Sequence, residues 1–282
     1  MKSNVIFETE YETQYIYYRH SKSVPSSENF KLHTHSCIEI LIFIDGDADY
    51  IVEGNIYPLK PYDILITKSN EMHQVKHRSN EQYERVVISL TDLFFEKYEC
   101  GAYKNFFTAH PIGSDNCIRL GEEDKEALKL FFLRTERYIR DAEGFGCSAA
   151  INCAAVEFAH FLNFVHKNKS ADYTQNHSVN KILNYINGAL SEDLTLDAIA
   201  NYMYMSKYHL CRIFKQHTGL TINNYIANKR ILLARKYYMQ GKSLSEACIA
   251  AGFPSYCSFY KTYHNFTGKA PKGNIENYMN DR

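Results

Sequence analysis

The chain has 282 residues, room for two domains with separate cores, and a net charge of zero from 32 basic and 32 acidic side chains. That average conceals a split: residues 177–282 hold 13 Lys/Arg against 6 Asp/Glu, whereas residues 1–176 hold 19 against 26. The balance excludes a uniformly cationic nucleic-acid coat and places any attraction to phosphate in the C-terminal part alone.

The N-terminal segment, Met1-Lys2-Ser3-Asn4-Val5-Ile6-Phe7-Glu8, lacks the apolar core of a signal peptide. No uncharged apolar run reaches membrane-spanning length, so a soluble, cytoplasmic protein without a membrane partner is expected. The eight cysteines (37, 100, 117, 147, 153, 211, 248 and 257) form no C-x-x-C pair and no regular framework. They read as reduced, mostly buried thiols.

Residues 1–90 carry strand signals. Tyr15-Ile16-Tyr17-Tyr18 and Ile38-Glu39-Ile40-Leu41-Ile42-Phe43-Ile44 are aromatic or β-branched runs, the second stopped by Asp45-Gly46-Asp47. Glu53-Gly54-Asn55 reads as a hairpin turn, Pro61-Tyr62-Asp63 precedes Ile64-Leu65-Ile66, and Arg85 to Leu90 is the last clear strand. Short strands at near-regular spacing predict a small β-barrel or jelly roll over 1–112. From about Thr91 the period becomes 3.6, and two long helices are expected over 122–140 and 148–167. Leu128, Phe131, Phe132 and Ile139 mark the apolar face of the first, and Val156, Phe158, Phe161, Leu162 and Val165 that of the second. Residues 113–172 are therefore expected to form a helical linker that also dimerises, ending in the polar stretch 167–172 and 175–177.

Residues 173–282 read as helices throughout: 179–190, 194–204, 206–217, 222–240, one opening at the capping box Ser243-Leu244-Ser245-Glu246, and 255–266. Within them the chain repeats itself at a separation of 49 residues. Ser206 to Phe214 runs on to Thr218-Gly219, and Ser255 to Tyr263 runs on to Thr267-Gly268. In each copy a capping Ser is followed four residues later by a large apolar side chain, then by an aromatic, and Thr-Gly closes the helix. Two such helices in tandem predict two helix-turn-helix units joined by a long connecting helix, each offering an α-helix to the major groove. Lys207, Tyr208, Cys211, Arg212 and Lys215 are expected on the free face of the first; Tyr256, Cys257, Tyr260 and Lys261 on that of the second. Arg212 can fork onto guanine, and the tyrosine-rich second copy is expected to read bases more weakly.

The C-terminal module resembles the AraC/XylS family of bacterial transcription regulators. The resemblance rests on Leu196-Asp197-Ala198-Ile199-Ala200, Ser206 to Phe214, Gly219, Tyr225-Ile226, Arg230-Ile231 and Ala234-Arg235, then Ile249 to Phe253, Ser255-Tyr256, Phe259, Gly268 and Pro271. It implies double-stranded DNA, a small-molecule effector (a sugar, by family habit), RNA polymerase and a second copy of the chain as partners. In the N-terminal part, His33-Thr34-His35-Ser36-Cys37-Ile38-Glu39 with Gly46 looks like the first motif of the cupin barrels, and Pro61-Tyr62-Asp63 with His73 looks like a degenerate second. His33, His35 and Glu39 share parity, so a pleated strand would point them inward together. The preferred reading is an effector pocket lined by His33, His35, Glu39, Tyr50 and His73, with Tyr17 as a stacking face. A divalent metal (Fe, Mn, Ni or Zn) on His33, His35, Glu39 and His73 stays open, and no cofactor is otherwise required.

The fold class expected is α+β, a cupin-like barrel and helical linker followed by an all-α DNA-binding domain. No nucleotide-binding or nucleophile-elbow motif is present, so a ligand-responsive regulator is read rather than an enzyme. The alternatives are a metal-dependent cupin enzyme with an accessory DNA module, and a constitutive DNA binder whose barrel only dimerises.

Overall fold

The computed structural model describes residues 4–24, 33–35, 37–69, 71–141, 147–166 and 177–275. Ser36, the turn around Gly144 and the linker expected at 167–172 and 175–176 lie outside the described residues. The chain divides into two compact units, Met1–Thr174 and Gln175–Arg282.

The first unit is built on two antiparallel sheets. Strands β1 (Asn4–Glu12), β2 (Ile16–Val24), β3 (Ile38–Asp45), β6 (Ile64–Thr67), β8 (Tyr83–Leu90) and β9 (Cys117–Ile118) form one, in the order β1-β2-β8-β3-β6-β9. Strands β4 (Ala48–Val52), β5 (Asn55–Pro58) and β7 (His73–His77) form the other, in the order β5-β4-β7. Glu53 and Gly54 join β4 to β5 with φ of 47° and 79°, the left-handed pair that a tight hairpin twisted like its strands requires.

Why β3 is an almost unbroken apolar run follows from what covers it. The even-numbered residues Ile38, Ile40 and Ile42 join Ile16, Tyr18, Ile64, Ile66, Val86, Ile88 and Leu90 in a core shared with four helices. These are α1 (Asp92–Lys97), α2 (Gly101–Thr108), α3 (Glu122–Arg140) and α4 (Cys147–His166). Odd-numbered Leu41 and Phe43, with Tyr17, Leu65, Tyr83 and Val87, face Tyr50, Val52, Tyr57 and Val75 of the smaller sheet. A strand buried on both faces has no reason to alternate with polar residues.

Helices α3 and α4 are part of this core. Leu128, Phe131 and Phe132 meet Ala154, Phe158 and Leu162 there, with the Phe131 and Phe158 rings stacked at 4.7 Å. His20 of β2 ties α3 to the sheet, its Nδ1 2.5 Å from Glu136 and its Nε2 3.0 Å from Glu84. Ser148–Val165 of α4 is long and apolar enough to cross a membrane by length and composition, with a mean hydropathy of 1.2. It carries Glu157, and its face from Ile151 to Val165 is spent on the core of this unit.

The second unit is helical: α5 (His177–Gly188), α6 (Leu196–Tyr202), α7 (Lys207–Thr218), α8 (Ile222–Met239), α9 (Leu244–Ala250) and α10 (Tyr256–Thr267). Every start after α5 is set by a side-chain cap. Thr195, Ser206, Thr221, Ser243 and Ser255 each accept a bond from the third residue on, and Ser243 and Glu246 close a full capping box. Gly219 and Gly268 end α7 and α10 at φ of 77° and 70°. Ile231, Leu232 and Ala234 of α8 pack with Cys248 of α9 and with Phe259 and Tyr263 of α10. At the other end of α8, Tyr225 meets the Phe214 ring of α7 at 5.5 Å.

Candidate functional site

In the first unit the expected side chains do come together. His33, His35, Glu39 and His73 each offer one ligand atom, and these atoms lie within 4.8 Å of one another. His35 Nε2 is 2.9 Å from Glu39 Oε2, and His73 Nε2 is 3.3 Å from Glu39 Oε1. The Tyr50 hydroxyl donates to the same carboxylate at 3.4 Å, and its ring stacks on His73 at 5.8 Å. Burial alone would raise the Glu39 carboxyl, but His35 and His73 outweigh it and hold it well below the ordinary range. Burial would lower His73; its bond and charge contact with Glu39, and the Glu71 carbonyl, raise it instead. His73 Nδ1 sits 2.8 Å from that carbonyl, which leaves Nε2 turned toward Glu39.

The route to this convergence differs from the strand parity that the sequence suggested. Strand β3 begins at Ile38, so His33 and His35 precede it and the pleat does not aim them. His33 is instead bridged to β7: its N–H donates to the His73 carbonyl at 3.0 Å and its carbonyl accepts from His73 N–H at 2.8 Å. The strand register also brings in Thr67 and Ser89, which sequence reasoning missed. Tyr17, Ser89, Glu39 and Thr67 are paired across β2, β8, β3 and β6, so they form one buried polar row on the inner face. Ser89 is 1% exposed and its hydroxyl has no partner among the described residues. The signal was a polar residue at the inward parity of an otherwise apolar strand.

In the second unit, the cap-to-cap spacing of α7 and α10 buries Leu210 and Phe214 in one copy and Phe259 and Tyr263 in the other. On α7, Lys207, Tyr208, Arg212 and Lys215 are exposed, Tyr208 at 80%, while Cys211 is half-buried. Lys207 Nζ pairs with Asp197 of α6 at 2.9 Å, and Arg212 lies 3.3 Å from His209 Nδ1. On α10, Cys257, Tyr260 and Lys261 are exposed. Tyr256, expected among them, is half-buried against Phe259 at 6.0 Å, because the apolar cluster under α10 takes its ring. Among the described side chains no disulfide forms: Cys37, Cys100, Cys117 and Cys248 are buried, Cys211 is half-buried, and Cys153 and Cys257 are exposed.

A sheet unit with a polar cluster set inside an apolar core, and a pair of capped helices of which the first carries a basic outer face, form the arrangement expected of a DNA-binding regulator with its own ligand-binding domain. Residues 14–98 match the model of the AraC-like ligand binding domain, and residues 199–274 match a helix-turn-helix domain. Together the two matches cover more than half of the chain, and it belongs to the AraC-type transcription regulators. Among its relatives, the transcriptional regulator YfiF of Bacillus subtilis is 24% identical over 72% of this chain and 65% of its own length. The bifunctional transcriptional activator and DNA repair enzyme AdaA of Bacillus subtilis is 33% identical over 33% of this chain and 44% of its own. The chain thus spans less than two thirds of the length of either. Unsaturated fatty acid-bound ToxT of Vibrio cholerae superimposes with a TM-score of 0.39 at 11% identity over 96% of this chain and 98% of that one.

Proposed function

We propose that this regulator reads duplex DNA through α7 and α10 and senses a small polar molecule at the Glu39 cluster. Base-facing roles go to Tyr208, Cys211 and Arg212 on α7 and to Cys257, Tyr260 and Lys261 on α10; Lys215 contacts phosphate, while Lys207 and Tyr256 sit at the margins of the two faces. The effector reading rests on one observation: a buried row of hydroxyls and a carboxylate with an orphaned Ser89 hydroxyl beside His33, His35, His73 and Tyr50. Such a set suits a hydroxyl-bearing ligand such as a sugar, which needs donors and acceptors on every side. Regulation follows only if the ligand binds two states of the protein unequally. The chain acts without catalysis, in the cytoplasm, as a homodimer that meets RNA polymerase at promoters. The exposed Leu130, Leu133 and Phe164 on α3 and α4 support the dimer.

A second reading is favoured by the mutual closeness of the four ligand atoms at the same cluster. Three imidazoles and a carboxylate are a fit donor set for a divalent transition ion, and His33, His35, Glu39 and His73 would hold it. One experiment separates the readings. Purified protein and its His35→Ala variant are assayed for bound metal, then titrated with sugars and with Zn²⁺ or Ni²⁺ while duplex affinity is followed. A sugar-dependent change in DNA affinity that His35→Ala abolishes supports the effector site. Stoichiometric metal lost in the variant supports the second reading, and neither effect leaves a barrel without a sensing role.

A further inference from the structure

The turn between α6 and α7 contains a residue that folding does not explain. Tyr204 has φ of 52°, in the left-handed region that L side chains rarely adopt, and its ring is 97% exposed. The backbone around it is a helix-terminating turn: Tyr204 N–H donates to Asn201 O at 3.1 Å and Met205 N–H to Ala200 O at 3.0 Å. The second helix-turn-helix builds the same turn, with Gly252 N–H on Ile249 O at 2.9 Å and Phe253 N–H on Cys248 O at 3.1 Å. There the left-handed position is a glycine, at φ of 94°. So the turn works with the residue that costs nothing there, and the first helix-turn-helix carries a tyrosine whose ring gains almost no burial. Nearby Tyr202 differs, since its ring stacks on Tyr185 at 4.2 Å.

A strained position holding a fully solvated aromatic points to use outside the fold. Its place supplies the partner. Two residues on, Ser206 caps α7, and four residues on, Tyr208 stands 80% exposed on the first turn of that helix. In a helix-turn-helix the N-terminal end of the second helix enters the major groove, so the turn before it comes against a sugar–phosphate strand at the groove's edge. The surplus of basic residues over 177–282 draws the same strand in.

We propose that Tyr204 is a backbone-positioning residue. Its ring lies along the deoxyribose edge of the strand flanking the α7 groove, and its hydroxyl donates to a phosphate oxygen. The inference rests on the duplex reading of α7 and adds a contact that carries no base preference.

The test uses the full chain with Tyr204→Gly and Tyr204→Phe, titrated against a duplex selected by the wild-type protein from a randomised pool and against a mixed-sequence duplex. Expected is a loss of about three- to tenfold on both duplexes alike for each variant, the size of one hydrogen bond. The Tm of Tyr204→Gly is expected to be unchanged or raised, since strain is relieved and no buried contact is lost. Affinity within twofold of wild type for both variants would overturn the proposal. So would a lowered Tm for Tyr204→Gly, which would make the ring part of the fold, or a loss confined to the selected duplex, which would make it a base reader. Failure of the wild-type protein to bind either duplex would remove the duplex reading itself, and is scored separately from the variants.

Discussion

Gly252→Ala should break the joint that holds the two helix-turn-helix units in register. A Cβ on Gly252 would stand 2.3 Å from the Leu190 carbonyl oxygen, 2.9 Å from Arg230 Nε and 3.1 Å from Ser191 Cα, on a backbone with φ of 94°. The neighbours have no slack, because Arg230 of α8 already holds the α5–α6 loop with bonds of 2.8 Å to Leu190 O and 2.6 Å to Glu192 O. Relieving the clash means withdrawing that loop from the guanidinium, at about 1.5–3 kcal/mol for charge-assisted bonds. The left-handed backbone adds about 1–2 kcal/mol, and the stiffer unfolded chain returns about 0.5 kcal/mol. The expected net loss is about 2–4.5 kcal/mol, read from urea unfolding of the full chain followed by far-UV circular dichroism. The surviving folded fraction should bind a duplex carrying both contact segments more weakly, with little change on one carrying the α7 segment alone. A loss under about 0.5 kcal/mol would show that the loop yields freely and that Gly252 sets no spacing.

Arg212→Ala should cost about 1–3 kcal/mol on the selected duplex and relax one base position, and an unchanged sequence preference in a binding-site selection would remove Arg212 from direct readout. Lys215→Ala should weaken binding on every sequence and flatten the dependence on salt by about one unit of slope; a loss restricted to one sequence would contradict its role at phosphate. His20 is pulled down by burial, but its bonds and charge contacts with Glu136 and Glu84 outweigh that and raise it above 6.5, while Glu136 is lowered below 4.5, chiefly by the His20 bond. The tie between α3 and the sheet is then complete between those two values, weakens as pH rises through the raised His20 value, and weakens again as pH falls through the lowered Glu136 value. Thermal melts should show that profile, and His20→Asn should flatten its alkaline side.

What was legible in the sequence was whatever has a local physical cause. The ends of α7, α9 and α10 could be read because Ser206, Ser243 and Ser255 cap their own helices and Gly219 and Gly268 end two of them, all within four residues of the chain. Strand β3 could be read because burial on both faces leaves an unbroken apolar run. Strand β9 could not, since two residues carry no period; it exists only because Ile64 and Leu65 offer it an edge. The cluster around Glu39 was found for a reason that was half right. The four side chains do converge, but what aims His33 is a bridge to His73 forty residues away, which strand parity cannot express. Tyr204 left no trace, because tyrosine is not a residue type that announces a left-handed turn.

On the proposed duplex reading, α7 and α10 should not contribute equally. Both bury the same kind of face and end in the same way, so shape does not distinguish them. Chemistry does: α7 exposes a guanidinium, two lysines and a tyrosine, whereas α10 exposes one lysine, a thiol and Tyr260, whose ring is already stacked on His264 at 6.2 Å. A guanidinium fork distinguishes guanine from the other bases by about 1–3 kcal/mol, and α10 has none to offer. Because α8 packs against α9 and α10 and Arg230 fixes the loop before α6, α10 lands where α7 places it instead of choosing its own register. Scanning base substitutions through the selected duplex should therefore give one deep segment, costing tenfold or more per change at its best position, and one shallow segment about a helical turn away. If the deep segment moved to the α10 side, or if Arg212→Ala flattened the shallow segment and spared the deep one, the division of labour would be reversed.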